Sequence, residues 1–251
     1  MRNYCGRLIN ENSAYTWLDS LVRADNRMVI WSLFDGSGIM GLPWAEYGHT
    51  EYCFNSSSGN HGEYVGRKEH PLVHHIDVWI DYQFIDRVER MYIPGPDIIF
   101  AFPDCTELAV SGAKHEGHTS LVSVENAQMI EAIADFYGAK WMVENPVGKM
   151  SAHWRKPDYY FHPYQYGGYM TGEEESHHPK MPARDGYTKK TCIWAGNGFV
   201  MPEPLPVEHI GKFWGWTYLG GKSERTKQLR SLTPRGFARA VFLANRGRLI
   251  K

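Results

Sequence analysis

Cys105 is the residue in this chain best placed to be a nucleophile. It stands in the run Ile99-Phe100-Ala101-Phe102-Pro103-Asp104-Cys105-Thr106, where an apolar stretch breaks off into polar residues. A buried strand that hands a cysteine to a loop at its carboxyl end has this form, and in open α/β sheets ligands bind at that end. A free cysteine is also among the most often buried residues, so the run alone leaves a packing role open. Two further strand ends carry polar groups. Residues 27–34 form an apolar run that stops at Asp35-Gly36-Ser37-Gly38, where glycines let the backbone turn tightly and approach a ligand. Lys140-Trp141-Met142-Val143 is followed at once by Glu144-Asn145-Pro146. A thiol, a carboxyl and a glycine loop gathered on one rim could carry out nucleophilic and acid–base chemistry on a bound ligand.

The elements needed to gather them are readable. Strands are expected at 27–34, 50–54, 73–79, 97–102, 140–143 and 188–194, and helices at 14–25, 122–137 and from Thr233 to Asn245. Thr233 reads as an N-cap with Pro234 at the first helical position, and Gly138 as a helix stop. Asn55 and Asp77 end the second and third strands, where a side chain can reach a ribose or an adenine. Neither the dinucleotide fingerprint nor the P-loop is matched, so an adenosyl compound without phosphates fits the glycine loop better than a dinucleotide or a triphosphate. The expected fold class is α/β: a Rossmann-like, mostly parallel sheet with helices on both faces.

Composition narrows the rest. The chain has 251 residues, a net charge of −1 and 43% hydrophobic residues, so it can bury a large core and any nucleic-acid surface must be local. Its four cysteines (Cys5, Cys53, Cys105 and Cys192) lack C-x-x-C spacing, which points to reduced thiols in a cytoplasmic protein rather than a zinc ribbon or a disulfide framework. The sequence shows no signal core and no apolar run long enough to cross a membrane. His74-His75 point to opposite faces of a strand and make poor co-ligands. Glu173 to His178 reads as a solvated loop tip, and no metal is expected. Residues 151–187, rich in Trp, Tyr, His, Gly and Pro, read as an irregular excursion from a single domain spanning 1–251.

Phe34-Asp35-Gly36-Ser37-Gly38, Pro103-Asp104-Cys105 and Glu144-Asn145-Pro146, in that order, resemble the motif series of the DNA cytosine-5 methyltransferases. The Cys-Thr-x-x-x-x-Ser-Gly variant, Cys105 to Gly112, is similar to short members encoded by bacterial viruses, some of which serve restriction–modification. The resemblance covers roughly residues 28–150. It implies S-adenosyl-L-methionine as cofactor, held by Phe34, Asp35, Gly36, Ser37, Gly38, Asn55, Asp77 and Pro103, with Ser231 and Thr233 from the last cofactor-side motif. It implies Cys105 as nucleophile, Glu144 as proton donor to the base and Asn145 as a shaper of the loop. DNA would be the partner, its cytosine single-stranded or flipped from the duplex. Ser111, Trp154, Arg155, Lys156, Lys189 and Lys190 are the candidate DNA contacts, residues 151–187 serving as a minimal recognition region. The chain departs from the pattern at Asp104, where the family has proline, and at Asn55, where it has an acid. A carboxylate beside a thiol raises the thiol pKa unless it points away. Three other readings stay open: a DNA-binding pseudoenzyme opposing restriction, a C5-modifying enzyme for another pyrimidine, and a cysteine hydrolase using His115 or His118.

Overall fold

The protein was analysed as a computed structural model that describes residues 27–56, 67–105, 121–171, 176–221 and 223–247. Seven strands form one sheet: β1 (Val29–Leu33), β2 (Thr50–Asn55), β3 (Val73–Asp77), β4 (Ile98–Ala101), β5 (Lys140–Pro146), β6 (Tyr159–Phe161) and β7 (Thr191–Gly196). Their spatial order is β3-β2-β1-β4-β5-β7-β6. The first five are parallel, and β7 runs antiparallel to both β5 and β6. This is the Rossmann-like, mostly parallel α/β sheet expected from the sequence.

The apolar runs become strands because both faces of the sheet are covered, which makes a parallel sheet apolar on both sides. Every residue of β1 is buried. Successive side chains alternate between faces. Trp31 and Leu33 join Ile99, Trp141 and Val143 on one side; Ile30 joins Ile98, Phe100, Met142 and Ile193 on the other. Seven described helices are α1 (Leu42–Glu46), α2 (Phe84–Arg90), α3 (Val122–Tyr137), α4 (Met150–His153), α5 (Gly215–Tyr218), α6 (Glu224–Ser231) and α7 (Arg235–Asn245). On the first side lie α2, through Phe84 and Val88, and α3, through Val124, Ala127, Ile130, Ile133 and Ala134. On the second lie α1, through Trp44, and α7, through Phe237, Ala238, Val241 and Phe242. The Phe237 ring stacks on Phe161 of β6 at 4.1 Å.

The register sets where the chemistry can sit. Leu33 pairs with Phe54 on one side and with Ala101 on the other, Phe54 pairs with Ile76, and Ala101 with Val143. The residues that follow these positions therefore emerge along one rim. Because β1 connects to β2 on one side and neighbours β4 on the other, that rim holds the crevice where such sheets bind ligands.

Several expectations are corrected. The strand at 140–143 continues through Glu144-Asn145-Pro146, because antiparallel pairing with β7 supplies partners for that backbone. β7 itself begins at Thr191 rather than at 188. Thr233 is not an N-cap: α7 starts at Arg235, its cap residue is Pro234, and no side chain of the cap residue bonds the helix. The free amide of Arg235 is instead taken by Asp185, whose Oδ2 accepts from it at 2.8 Å across fifty residues of chain. Within 151–187 lies β6, the sheet's edge strand, followed by two 3₁₀ turns. Helix α3 and its left-handed stop at Gly138 (φ 64°) stand as expected. The helix expected at 14–25 lies outside the described residues.

Candidate active site

The glycine loop is built around Asp35. Phe34, straight after β1, has a left-handed backbone (φ 58°), a strained state for a non-glycine residue that turns the chain sharply. The Asp35 amide donates to Phe54 O at 3.3 Å, which ties the turn to β2. The Asp35 carboxylate is buried, and its Oδ1 accepts from Ser37 N (2.7 Å), Ser37 Oγ (2.8 Å) and Gly38 N (3.1 Å). An aspartate that closes its own loop in this way supplies the bonds a longer turn lacks. Gly38 has φ 68°, and a side chain there would press on the His75 ring at 3.2 Å. Ser37 Oγ accepts from Ile39 N, and Gly38 O accepts from Leu42 N, so the loop runs directly into α1.

Asn55 and Asp77 end neighbouring strands in register, Asn55 half-buried and Asp77 exposed. Pro103, on the opposite side of β1, is buried. These positions flank the glycine loop as a nucleoside-binding crevice requires. Near the loop a cavity of about 220 Å³ opens between α1 and α7, lined by Ile39, Leu42, Lys68 and Arg235 among others. The Lys68 amide donates to Ser37 O at 2.8 Å. The chain's last helix thus meets the loop. Thr233 is buried just before that helix, whereas Ser231 is exposed and its hydroxyl donates to Gln228 O at 3.0 Å.

The cysteine loop is clamped from two elements. Asn145, buried in β5, donates from Nδ2 to Pro103 O at 3.0 Å. Ser123, in the first turn of α3, donates its hydroxyl to Asp104 O. Asp104 itself is exposed and Cys105 is partly buried. The Cys105 thiol is pushed up to about 11, first by burial and then by the Glu144 carboxylate; Lys189 acts the other way, and Asp104 adds a smaller rise. Burial likewise holds the Glu144 carboxyl above its ordinary range, against Lys189. The Lys189 ammonium is anchored on Arg230 O at 2.8 Å, at the end of α6. Cys105, Glu144 and Lys189 therefore form one electrostatic group. Protonation of Glu144 removes the main charge opposing a thiolate at Cys105.

The candidate DNA contacts are placed less uniformly. Trp154 stacks between Trp141 (6.2 Å) and Trp194 (5.7 Å), and the Arg155 guanidinium covers Trp154 at 5.0 Å while pairing with Asp158 at 2.7 Å. Both are engaged in packing this end of the sheet. Lys156 lies beside them, exposed. Lys190 stands 4.4 Å over the ring of Tyr160, which is exposed. Ser111, His115 and His118 lie outside the described residues, as does part of the 173–178 segment. Sequence reading missed Glu51, buried in β2 beneath the glycine loop, and Asp185. For Glu51 a signal existed: it alternates with Cys53 in a buried strand, so its carboxyl had to point into the interior.

No family model matches the chain, and no curated protein matches it. Solved structures do. One described as a DNA modification methyltransferase encoded within an E. coli prophage has 12% identity and a TM-score of 0.39, covering 67% of this chain and 46% of its own. The epimerase Mth375 of Methanothermobacter thermautotrophicus has 14% identity and a TM-score of 0.34, covering 51% and 37%. A Spodoptera frugiperda DNMT2 mutant has 14% identity and a TM-score of 0.37, covering 74% and 55%. This chain thus spans about half the length of those proteins or less.

Proposed function

We propose that this chain transfers a methyl group from S-adenosylmethionine to C5 of cytosine in DNA through a covalent adduct at C6. The observation that carries the reading is the convergence on one sheet rim of the Asp35–Gly38 loop, the Cys105 loop and Glu144, with Asn145 bonded to Pro103 O. The crevice suits an adenosyl compound: it offers the tight turn from Gly36 to Gly38, polar ends at Asn55 and Asp77, and the partly exposed ring of Phe34. When bound, the cofactor supplies an electrophilic methyl group.

Cys105 attacks C6 of the base as a thiolate, and the Sγ–C6 bond forms while the 5,6 double bond shifts its electrons toward the ring. Glu144, kept protonated by its site, gives its proton to N3, so the adduct is neutral and electron-rich at C5. With the methyl group on C5, the C5 proton is lost to a base, the Sγ–C6 bond breaks to release the Cys105 thiolate, and the N3 proton returns to Glu144, which restores the aromatic ring. Lys189 limits the rise of the Cys105 pKa. Lys189, Lys190 and Tyr160 border this rim and are the proposed backbone and base contacts, together with Lys156 and Ser111; Trp154 and Arg155 support them from within the stack. An exposed aromatic beside a lysine suits an unstacked base. A site of this size within a chain this short is proposed to act as one domain.

DNA carrying 5-fluorocytosine tests the reading, because fluorine at C5 cannot leave as a proton and the adduct accumulates. Incubation with S-adenosylmethionine should give a covalent complex that survives denaturation, and Cys105→Ala should give none. Methylation by Cys105→Ala at the normal rate would overturn the mechanism. Cofactor binding without any adduct or transfer would favour a DNA-binding pseudoenzyme.

A further inference from the structure

The carboxyl of Glu51 lies beneath the glycine loop with no role in the chemistry above. Its side chain is fully buried, and a methyl group added at Gly41 would fall 1.8 Å from its Cδ, so the loop's descending backbone rests on the carboxyl. Ser32 Oγ donates to Oε1 at 2.8 Å. Oε2 has no hydrogen-bond partner, and neither has Asp35 Oδ2, which is also buried. Carboxylate oxygens of Asp35 and Glu51 and the Cys53 sulfur lie within 4.8 Å of one another. Two buried carboxylates so close repel if both are ionised, and each orphan acceptor costs free energy. A proton on Glu51 removes that repulsion and supplies the pair with a donor.

We infer that Glu51 is a positioning residue for the cofactor loop, held as a neutral acid whose proton bridges to Asp35 Oδ2. The bridge fixes Asp35, and Asp35 Oδ1 in turn gathers the amides of Ser37 and Gly38. Ionisation of Glu51 sets two negative charges against each other and releases the loop. The surrounding groups agree. Burial first, and then Asp35, pushes the Glu51 carboxyl up to about 8. Cys53, on the same strand, is held as a thiol by burial and by both carboxylates, with Arg67 acting weakly against them. His75 of β3 faces the loop at Gly38, and its Nε2 is engaged with Lys68 O.

The inference rests on reading this loop as the cofactor site, and the test separates the two. Binding of S-adenosylhomocysteine is measured by calorimetry from about pH 6 to about pH 10 on the wild type and on Glu51→Gln, whose amide can still donate to Asp35. Wild-type affinity should hold to about pH 8 and then weaken by up to about tenfold per pH unit. Glu51→Gln should bind equally well at neutral pH and lose that alkaline decline. Equal declines in both proteins, or a folded Glu51→Gln that binds nothing at neutral pH, would overturn the role. If neither protein binds at any pH, the cofactor reading fails, and thermal unfolding then decides on Glu51. The wild-type Tm should fall relative to that of Glu51→Gln as pH rises from 4.5 to about 8, and parallel curves would refute the shared proton. A stoichiometric metal in the purified protein would also refute it.

Discussion

At Cys105 the structure turns a cysteine of ambiguous meaning into a thiol whose ionisation is governed by its neighbours. Burial raises its pKa, the Glu144 carboxylate adds to the rise where it is ionised, and Lys189 opposes both. Asp104, the departure from the family pattern, faces solvent and ranks below both Glu144 and Lys189 in its effect. Removing the Glu144 charge should therefore free the thiolate. Glu144→Gln is expected to speed alkylation of Cys105 by iodoacetamide at mildly alkaline pH while slowing methylation by about 10²-fold or more. Lys189→Met is expected to slow the same alkylation. Mass spectrometry of the labelled cysteine peptide distinguishes these effects from labelling of Cys53 and Cys192, which are buried.

Two elements depend on side chains from distant parts of the chain. The cysteine loop hangs on β5 through the Asn145–Pro103 bond. Asn145→Ala should cost about 1–3 kcal/mol, the penalty of an unsatisfied buried group, and should lower kcat while leaving cofactor affinity near normal. Denaturant titration and calorimetry check the two parts. Helix α7 depends on Asp185, which is fully buried and left-handed (φ 52°), and which lies 3.9 Å from the Arg235 guanidinium. Asp185→Ala removes the helix cap and uncovers a buried positive charge, so a loss of at least about 2 kcal/mol is expected in urea unfolding. Because α7 lines the cavity beside the glycine loop, weaker cofactor binding should accompany that loss.

For the molecule as a whole, the buried acids set an unusual dependence on pH. Glu51 and Glu144 both titrate above their ordinary range when folded. Each keeps a proton over a window in which the unfolded chain has released it, from 4.5 to about 8 for Glu51. Unfolding then releases protons, so the contribution of these groups is full below 4.5 and declines as pH rises through the folded value. The slope is at most about 1.4 kcal/mol per pH unit for each group. Urea unfolding at a series of pH values should show the wild type losing stability relative to Glu51→Gln between about pH 5 and about pH 8. The double variant Glu51→Gln with Glu144→Gln should flatten the curve.

The sequence by itself determined six of the seven strands, β6 lying in a stretch read as irregular, together with α3 and its glycine stop and the polar residues at the rim ends of β1, β4 and β5. These are local properties: apolar runs, helical spacing and the backbone freedom of glycine act over a few residues. It also determined that Cys105, Glu144 and the glycine loop belong at strand ends. Only the tertiary structure decided what those ends touch. The extension of β5 through Asn145 needed β7 as its partner, and the start of α7 needed Asp185 from fifty residues away. Trp154 and Arg155 read as candidate DNA contacts, and their packing against Trp141 and Trp194 was set by the tertiary structure. Glu51 gained a meaning only when the fold placed Asp35 beside it. Hydrogen-bond partners and burial are set by contacts between segments far apart in sequence, and those contacts turned a row of strand ends into a site with defined charge.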